Sequence, residues 1–153
     1  MGVHIQSDIF YSFIQNRIPP YLPEADEQNH IVISAIMKTA IEFSKNKYDV
    51  FVDGIFGPWF LGHIKSELLP IEATINYIIL RCDLKLAIQR IQSRQEKLHT
   101  DAIQQMYMEF ENSICHFKDN ILNVDNQSID SICKEILENR EKGKYLLRVD
   151  SST

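Results

Sequence analysis

Apolar residues recur along the chain in two patterns, and each pattern predicts a different kind of element. Short runs of consecutive apolar residues are typical of buried strands, and they occur at residues 3–6, 48–52, 75–80 and 121–124. Apolar residues three and four positions apart are typical of amphipathic helices. That spacing follows Glu27, Pro58, Asp83, Asp101 and Ser128. The tail after Gly143 fits an edge strand or a frayed end equally well.

Strands and helices alternate, and this order predicts an α/β fold. Parallel strands joined by helices of about a dozen residues form β-α-β units, with helices on both faces of the sheet. The runs at 48–52 and 75–80 are too continuously apolar for a sheet with one wet face. We therefore expect a single domain over residues 1–153, in which helices cover both faces of a parallel sheet.

Composition and charge narrow the classes of function. Sixteen Lys and Arg against 21 Asp and Glu give a net charge of -5, so no basic field attracts nucleic acid or anionic lipid. No apolar run approaches the roughly 18 residues of a membrane span, and the start lacks the pattern of a signal peptide. Three cysteines outside any CxxC pair fit a reducing compartment. We expect a cytoplasmic protein without membrane or nucleic-acid partners.

Histidine and cysteine spacing does not predict a metal site. The five histidines, at positions 4, 30, 63, 99 and 116, form no HxxxH or HExxH pattern and have no cysteine partners at zinc-like intervals. We therefore expect no metal that is held by side chains alone.

Residues directly after the predicted strands carry the candidate chemistry. In open α/β sheets, ligands bind beyond the carboxyl ends of the strands. One of two carboxylates there can accept a proton from a hydroxyl group while the other holds Mg2+ through water, as in phosphoryl transfer. A structural role in a cap or a tight turn is equally open for either carboxylate alone. The candidates are Asp8, Asp53 with Gly54, Arg81 with Asp83, and Asp125.

Two further features stand near these strand ends. Arg90 and Arg94 are four residues apart near the end of a predicted helix, so both point to the same side. They can clamp a transferring phosphoryl group, or they can simply suit the helix dipole. In the segment "FGPWF", Trp59 can form a substrate wall or pack on the sheet, whereas Phe60 is better explained by packing.

Four segments resemble consecutive blocks of a known family: "HIQSDIFYSFI", "IPPYLPEADEQN", "YDVFVDGIFGPWF" and "IILRCDLKLAIQRIQSR". They are similar to bacterial P-loop small-molecule kinases, the relatives of shikimate kinase, gluconate kinase and chloramphenicol phosphotransferase that are often named AAA family ATPases. The resemblance runs from Val3 to Val124. It implies a three-layer, nucleoside-monophosphate-kinase-like fold that uses ATP and Mg2+ to phosphorylate a small hydroxylated acceptor.

The resemblance also implies roles for individual residues. Asp8 would be the general base or the acceptor-binding carboxylate, and Asp53 would be a metal-side or acceptor-side carboxylate. Arg90 and Arg94 would belong to the lid and contact ATP, and a lid-like segment would lie around residues 92–101. Relatives usually carry a second acid after the first, where this chain has Ile9. The acceptor would lie against Phe10, Tyr11, Gly54, Gly57 and Trp59.

The chain departs from the family at its start. Such kinases begin with a central strand, a GxxxxGK[ST] loop that cradles the phosphates, and a helix. The single Gly-Lys pair here, Gly143 and Lys144, does not form that loop because Glu138 occupies the position of the earlier glycine. We therefore expect an N-terminally truncated chain without its first strand and P-loop. Its unpaired sheet edges would favour self-association.

Two classes of function stay open from the sequence. The first is an ATP-dependent phosphotransferase that acts only in a longer form or with the missing segment supplied by another chain. The second is a non-catalytic remnant that binds a small molecule or a protein through Phe10, Tyr11, Trp59 and Phe60. A nucleic-acid role has no support, because the chain has neither basic charge nor a basic-aromatic run.

Overall fold

The structure is a computed structural model that describes residues 1–71, 74–94 and 100–147. Contacts within the chain divide it into two compact units. The described residues of the N-terminal unit are 1–71, and those of the C-terminal unit are 74–94 and 100–147.

The N-terminal unit is a β-α-β arrangement followed by a helix. Its two strands pair in parallel, with Gly2 opposite Asp49 and Gln6 opposite Asp53, and the long second helix connects them. Its elements are β1 (Gly2–Gln6), α1 (Ser7–Ser12), α2 (Asp26–Lys45), β2 (Asp49–Asp53) and α3 (Leu61–Leu68), with short 3-10 turns at Pro23–Ala25, Pro58–Phe60 and Leu69–Ile71.

The β1–β2 pair has one covered face and one exposed face. Ile5 on β1 is buried, as are Ile33 and Ile36 on α2, which contacts both strands. Side chains alternate between faces, and on the other face Phe51 is 53% exposed. The prediction that the strand at 48–52 is buried on both faces is therefore wrong. The strand includes Asp49 and Asp53, so Phe51 is the one apolar residue among its three outward positions.

The C-terminal unit contains two short strand pairs and three helices within its described residues. Its strands β4 and β5 pair in parallel, whereas β3 and β6 pair in antiparallel fashion. The elements are β3 (Ile75–Asn76), β4 (Ile79–Arg81), α4 (Leu84–Ser93), α5 (Thr100–Ser113), β5 (Ile121–Asn123), α6 (Ile129–Glu141) and β6 (Leu146–Leu147), with 3-10 turns at Ile114–His116 and Lys118–Asn120.

The apolar run at 75–80 forms two strands rather than the predicted one. The break lies at Tyr77, whose backbone N–H donates to the Tyr145 carbonyl at 2.9 Å and whose carbonyl accepts from Asn120 Nδ2 at 2.8 Å. Tyr145 precedes β6 and Asn120 precedes β5. The run therefore divides at Tyr77, with β3 paired to β6 and β4 paired to β5. In the tail after Gly143, which the sequence left open, Leu146–Leu147 form the edge strand β6, and residues 148–153 lie outside the described residues.

The helix starts follow the predicted capping residues. Asp83 caps α4 by accepting a hydrogen bond from the Lys85 N–H at 2.8 Å, and Ser128 caps α6 by accepting one from the Ser131 N–H at 3.2 Å.

The parallel strand pairs and the helices between strands confirm the α/β class. Each described strand pairs with a single neighbour, so the three-layer P-loop kinase arrangement stays a prediction. None of the described helices combines the length and apolar character that crossing a bilayer requires.

Candidate functional site

The carboxyl ends of β1 and β2 bring Ser7 against Gly54. Gln6 and Asp53 are register partners, so the residues that follow them leave the two strands side by side. A Cβ atom added to Gly54 would lie 1.9 Å from Ser7 Oγ, which is far inside contact distance. Glycine is therefore required here by the close approach of the two segments. The Ser7 side chain is buried beneath this contact.

Asp53 contacts His4 on the exposed face of the strand pair. His4 Nε2 lies 3.2 Å from Asp53 Oδ2, and the two side chains are 54% and 66% exposed. A ring nitrogen that carries a proton donates to the carboxylate in this geometry. Asp53 is thus a solvent-accessible carboxylate with a histidine neighbour. His4 was not among the predicted site residues, because it shares a face with Asp53 only once β1 and β2 are paired.

Asp8 lies in the first turn of α1, directly after β1. The N-cap of this helix is Gln6, which makes no side-chain cap hydrogen bond, so Asp8 is not the capping residue. Its carboxylate is exposed and suits the positive end of the helix dipole. Burial raises the pKa of Tyr11, and the charge of Asp8 raises it further.

The predicted acceptor-binding aromatics on α1 differ in their surroundings. Phe10 is half-buried, with its ring centroid 5.7 Å from that of Phe13. The Tyr11 hydroxyl donates a hydrogen bond to Asn29 Oδ1 at 3.0 Å. The Tyr11 hydroxyl is therefore hydrogen-bonded to α2, whereas Phe10 is partly accessible to solvent.

Trp59 covers the backbone of Gly57. A Cβ atom added to Gly57 would lie 2.2 Å from Trp59 Cζ2, so the indole rests against the glycine. Trp59 is still 44% exposed, so packing on Gly57 does not bury it. Phe60 is buried, with its ring centroid 5.6 Å from that of His30, which confirms that it packs inside the unit.

The predicted phosphate clamp, Arg90 and Arg94, belongs to the C-terminal unit. Arg90 lies in the last turn of α4 and Arg94 is the C-cap residue, and both side chains are exposed. Residues 95–99 of the predicted lid-like segment lie outside the described residues. Residues 92–93 end α4 and residues 100–101 begin α5. Action of these arginines on phosphate groups stays a prediction.

The strand ends of the C-terminal unit are occupied by internal contacts. The Arg81 guanidinium donates to both Glu111 oxygens, from Nε at 2.6 Å and from Nη2 at 2.9 Å. These hydrogen bonds raise the pKa of Arg81. Asp125 Oδ1 accepts a hydrogen bond from the Asp83 N–H at 3.0 Å, which ties the end of β5 to the start of α4. These candidates thus have structural partners.

A polar cluster that was not predicted from the sequence joins α2 to α3. Ser34 Oγ donates to Glu67 Oε1 at 2.6 Å and lies 2.8 Å from His63 Nε2. A serine hydroxyl has one proton, so His63 must donate to Ser34 in this arrangement. The His63 ring also meets His30 edge to face, with centroids 4.9 Å apart. Ser34 lies on α2, whereas His63 and Glu67 lie on α3, so the sequence of either helix alone does not predict this cluster.

Two other features of the described surface bear on ligand binding. An open depression of about 540 Å³ runs along α4 and is lined by Asp83, Leu84, Lys85, Ile88, Gln89 and Gln92.

Across residues 1–71, 74–94 and 100–147, no group of three or more His, Cys, Asp or Glu side chains is arranged to hold a metal ion. A metal at Asp53 would therefore need ligands from a bound phosphate or water.

No protein-family model matches the chain, and a search of curated proteins finds no significant match. The resemblance to P-loop small-molecule kinases therefore stays a prediction.

Proposed function

We propose that the N-terminal unit carries the acceptor side of an ATP-dependent small-molecule phosphotransferase. The observation that supports this most is the direct contact between the segments that follow β1 and β2, made by Ser7 and Gly54. Each of these segments carries an exposed carboxylate, Asp8 or Asp53. In α/β proteins, ligands gather beyond the carboxyl ends of parallel strands, which is where both carboxylates lie.

The two carboxylates suit different parts of one reaction. In this proposal Asp8 accepts the proton of the acceptor hydroxyl as its oxygen bonds to the γ-phosphorus of ATP. The bond between that phosphorus and the bridging oxygen breaks, and ADP leaves with the electron pair. Mg2+ bound beside the phosphates would neutralise their charge, and Asp53 is the residue that would hold it, since Mg2+ commonly takes one or two carboxylates with substrate phosphates.

The Asp8 carboxylate gives the direct test of this proposal. A form of the protein that carries a strand–GxxxxGK[ST]–helix segment of about 25 residues ahead of Met1 is assayed for transfer from ATP to a panel of hydroxylated small molecules. Asp8→Asn should lower kcat at least about a hundredfold, because it removes the base. The control is Asp49→Asn at the opposite end of β2, which should leave kcat unchanged. If the Asp8→Asn form were as active as the longer form without the substitution, the proposed role of Asp8 would be refuted.

A second candidate function is binding without phosphoryl transfer. The observation that favours it is the apolar exposed surface of the same unit, at Phe51 and Trp59, together with the absence of a GxxxxGK[ST] segment from these 153 residues. Calorimetry with Mg2+ and ATP on the 153-residue chain tests this second candidate. Micromolar binding of the nucleotide would argue against a binding-only role.

A further inference from the structure

A segment without regular structure, the strap (residues 13–22), connects α1 to the turn before α2. Gln28 of α2 holds its middle by both ends of one amide. Gln28 Oε1 accepts from the Ile18 N–H at 3.0 Å, and Gln28 Nε2 donates to the Ile18 carbonyl at 2.8 Å. One side chain thus satisfies both backbone groups of Ile18, as a neighbouring strand would.

The next residue of α2, Asn29, joins the strap to α1. Its side chain is buried, with 5% of the residue exposed. Asn29 Nδ2 donates to the Pro20 carbonyl at 2.9 Å, and Asn29 Oδ1 accepts from the Tyr11 hydroxyl at 3.0 Å. The reverse orientation of the amide would bring two oxygen acceptors together at Pro20, so these contacts determine which end faces which partner.

We propose that Asn29 is a positioning residue of the acceptor site, because its amide couples the strap to α1, the helix that carries Asp8. When the strap opens, Asn29 Nδ2 loses its acceptor, the Pro20 carbonyl. A buried hydrogen-bond network with one unsatisfied donor is less stable than its separate bonds suggest. Tyr11 and α1 are then held less firmly at the end of β1. The acceptor-site role rests on the proposed function, whereas the coupling itself requires no ligand.

Trypsin cleavage after Arg17 measures strap opening. The peptide bond between Arg17 and Ile18 adjoins the backbone groups held by Gln28, and a protease that binds this backbone in extended form must displace Gln28. Cleavage of a transiently open segment follows the population of the open form. Asn29→Asp keeps the oxygen that Tyr11 needs but removes the donor to Pro20. We expect the rate of appearance of the fragment ending at Arg17, followed by mass spectrometry, to rise about tenfold.

The Tyr11→Phe variant tests the coupling. It deletes the hydroxyl bonded to Asn29 and leaves the Asn29 bond to Pro20 in place. Coupling predicts that cleavage after Arg17 still rises severalfold, and that the double variant with Asn29→Asp rises by less than the product of the single effects. Tyr48→Phe, which removes a hydroxyl elsewhere in the same unit, is the control and should cleave like wild type. A wild-type cleavage rate in Tyr11→Phe would overturn the inference.

A second readout comes from α1. Gln28→Ala releases the strap at Ile18 and leaves both Asn29 contacts in place. Since burial raises the pKa of Tyr11 above its ordinary value of 10.0, coupling predicts that Gln28→Ala lowers the pKa of Tyr11, followed by NMR of labelled tyrosine. An unchanged pKa of Tyr11 would refute the coupling. Neither readout involves ATP or an acceptor, so either can fail while the proposed phosphotransferase function holds, and the reverse is equally true.

Discussion

The Glu111 carboxylate accepts two hydrogen bonds from the Arg81 guanidinium, at 2.6 and 2.9 Å, and so joins α5 to the end of β4. The Arg81 guanidinium also lies 6.0 Å from the centroid of the Tyr107 ring. Paired hydrogen bonds of this planar kind hold both groups in one orientation. Arg81 therefore joins β4 to α5 within the C-terminal unit and is not an isolated cation in solvent.

Removing the Glu111 charge should destabilise the C-terminal unit. Both side chains of the pair are about one-third exposed, so solvent screens the interaction, and we expect Glu111→Gln to lower the free energy of unfolding by about 1 kcal/mol. Urea denaturation measures this value. Glu109→Gln, on an exposed position of the same helix, should change it by less than about 0.5 kcal/mol. Equal losses in the two variants would contradict the assigned role of Glu111.

A side chain at Gly54 should disrupt the candidate site. The added Cβ of Gly54→Ala would meet both Oγ and Cβ of Ser7, at 1.9 and 2.6 Å, and crowding of this kind costs about 1–3 kcal/mol. Gly62→Ala is a matched control, since nothing lies within 4 Å of its added Cβ and the position is helical. We expect thermal unfolding to occur at lower temperature in Gly54→Ala and at an unchanged or higher temperature in Gly62→Ala. A wild-type melting temperature for Gly54→Ala would show that the strand ends are not in this contact.

Burial raises the pKa of Tyr77 to about 12, and stability should respond in alkali. The unfolded state, with a tyrosine pKa near 10, loses this proton before the folded state does. Folding free energy is therefore unaffected below pH 10 and becomes less favourable as the pH rises from 10 to 12. Tyr77→Phe keeps the ring, whose centroid is 5.9 Å from that of Phe117, and should weaken this pH dependence in urea titrations. The same slope in wild type and variant would contradict the assignment to Tyr77.

The hydroxyl of Ser34 should contribute to the contact between α2 and α3. Ser34→Ala removes the partner of both Glu67 and His63, and we expect a loss of about 1–2 kcal/mol in the free energy of unfolding. Ser44→Ala makes the same change at an exposed position of α2 and so controls for helix propensity. Hydrogen exchange of α3 amides should also accelerate in Ser34→Ala. Exchange and stability equal to those of Ser44→Ala would mean that the cluster does not hold the two helices together.

Elements with a local signal were predictable from the sequence. Asp83 and Ser128 are good capping residues, and each begins a helix where the apolar spacing predicted one. Strand partners have no such signal, because periodicity indicates which face is buried and not which strand lies alongside. The run at 75–80 was therefore predicted as one strand, although the hydrogen bonds of Tyr77 to Tyr145 and Asn120 divide it into two.

The candidate site was predictable only in part. Asp8 and Asp53 were identified because residues that follow parallel strands gather at one edge of a sheet. His4 and Ser7 were missed, since their relation to Asp53 and Gly54 depends on the register of β1 with β2. The side chains of Gln28 and Asn29 were missed for a similar reason. Their partners, Ile18, Pro20 and Tyr11, become neighbours only after the strap folds back on α2.

The proposed function requires that an acceptor binds beyond the carboxyl ends of β1 and β2. Two-dimensional 1H–15N NMR of the 153-residue chain, titrated with a panel of small hydroxylated molecules, tests it most directly. We expect at least one compound to cause chemical-shift changes that cluster at Asp8, Asp53 and Gly54 and that weaken in Asp8→Asn. Changes confined to the depression along α4, or no binding by any compound that the longer form phosphorylates, would contradict it.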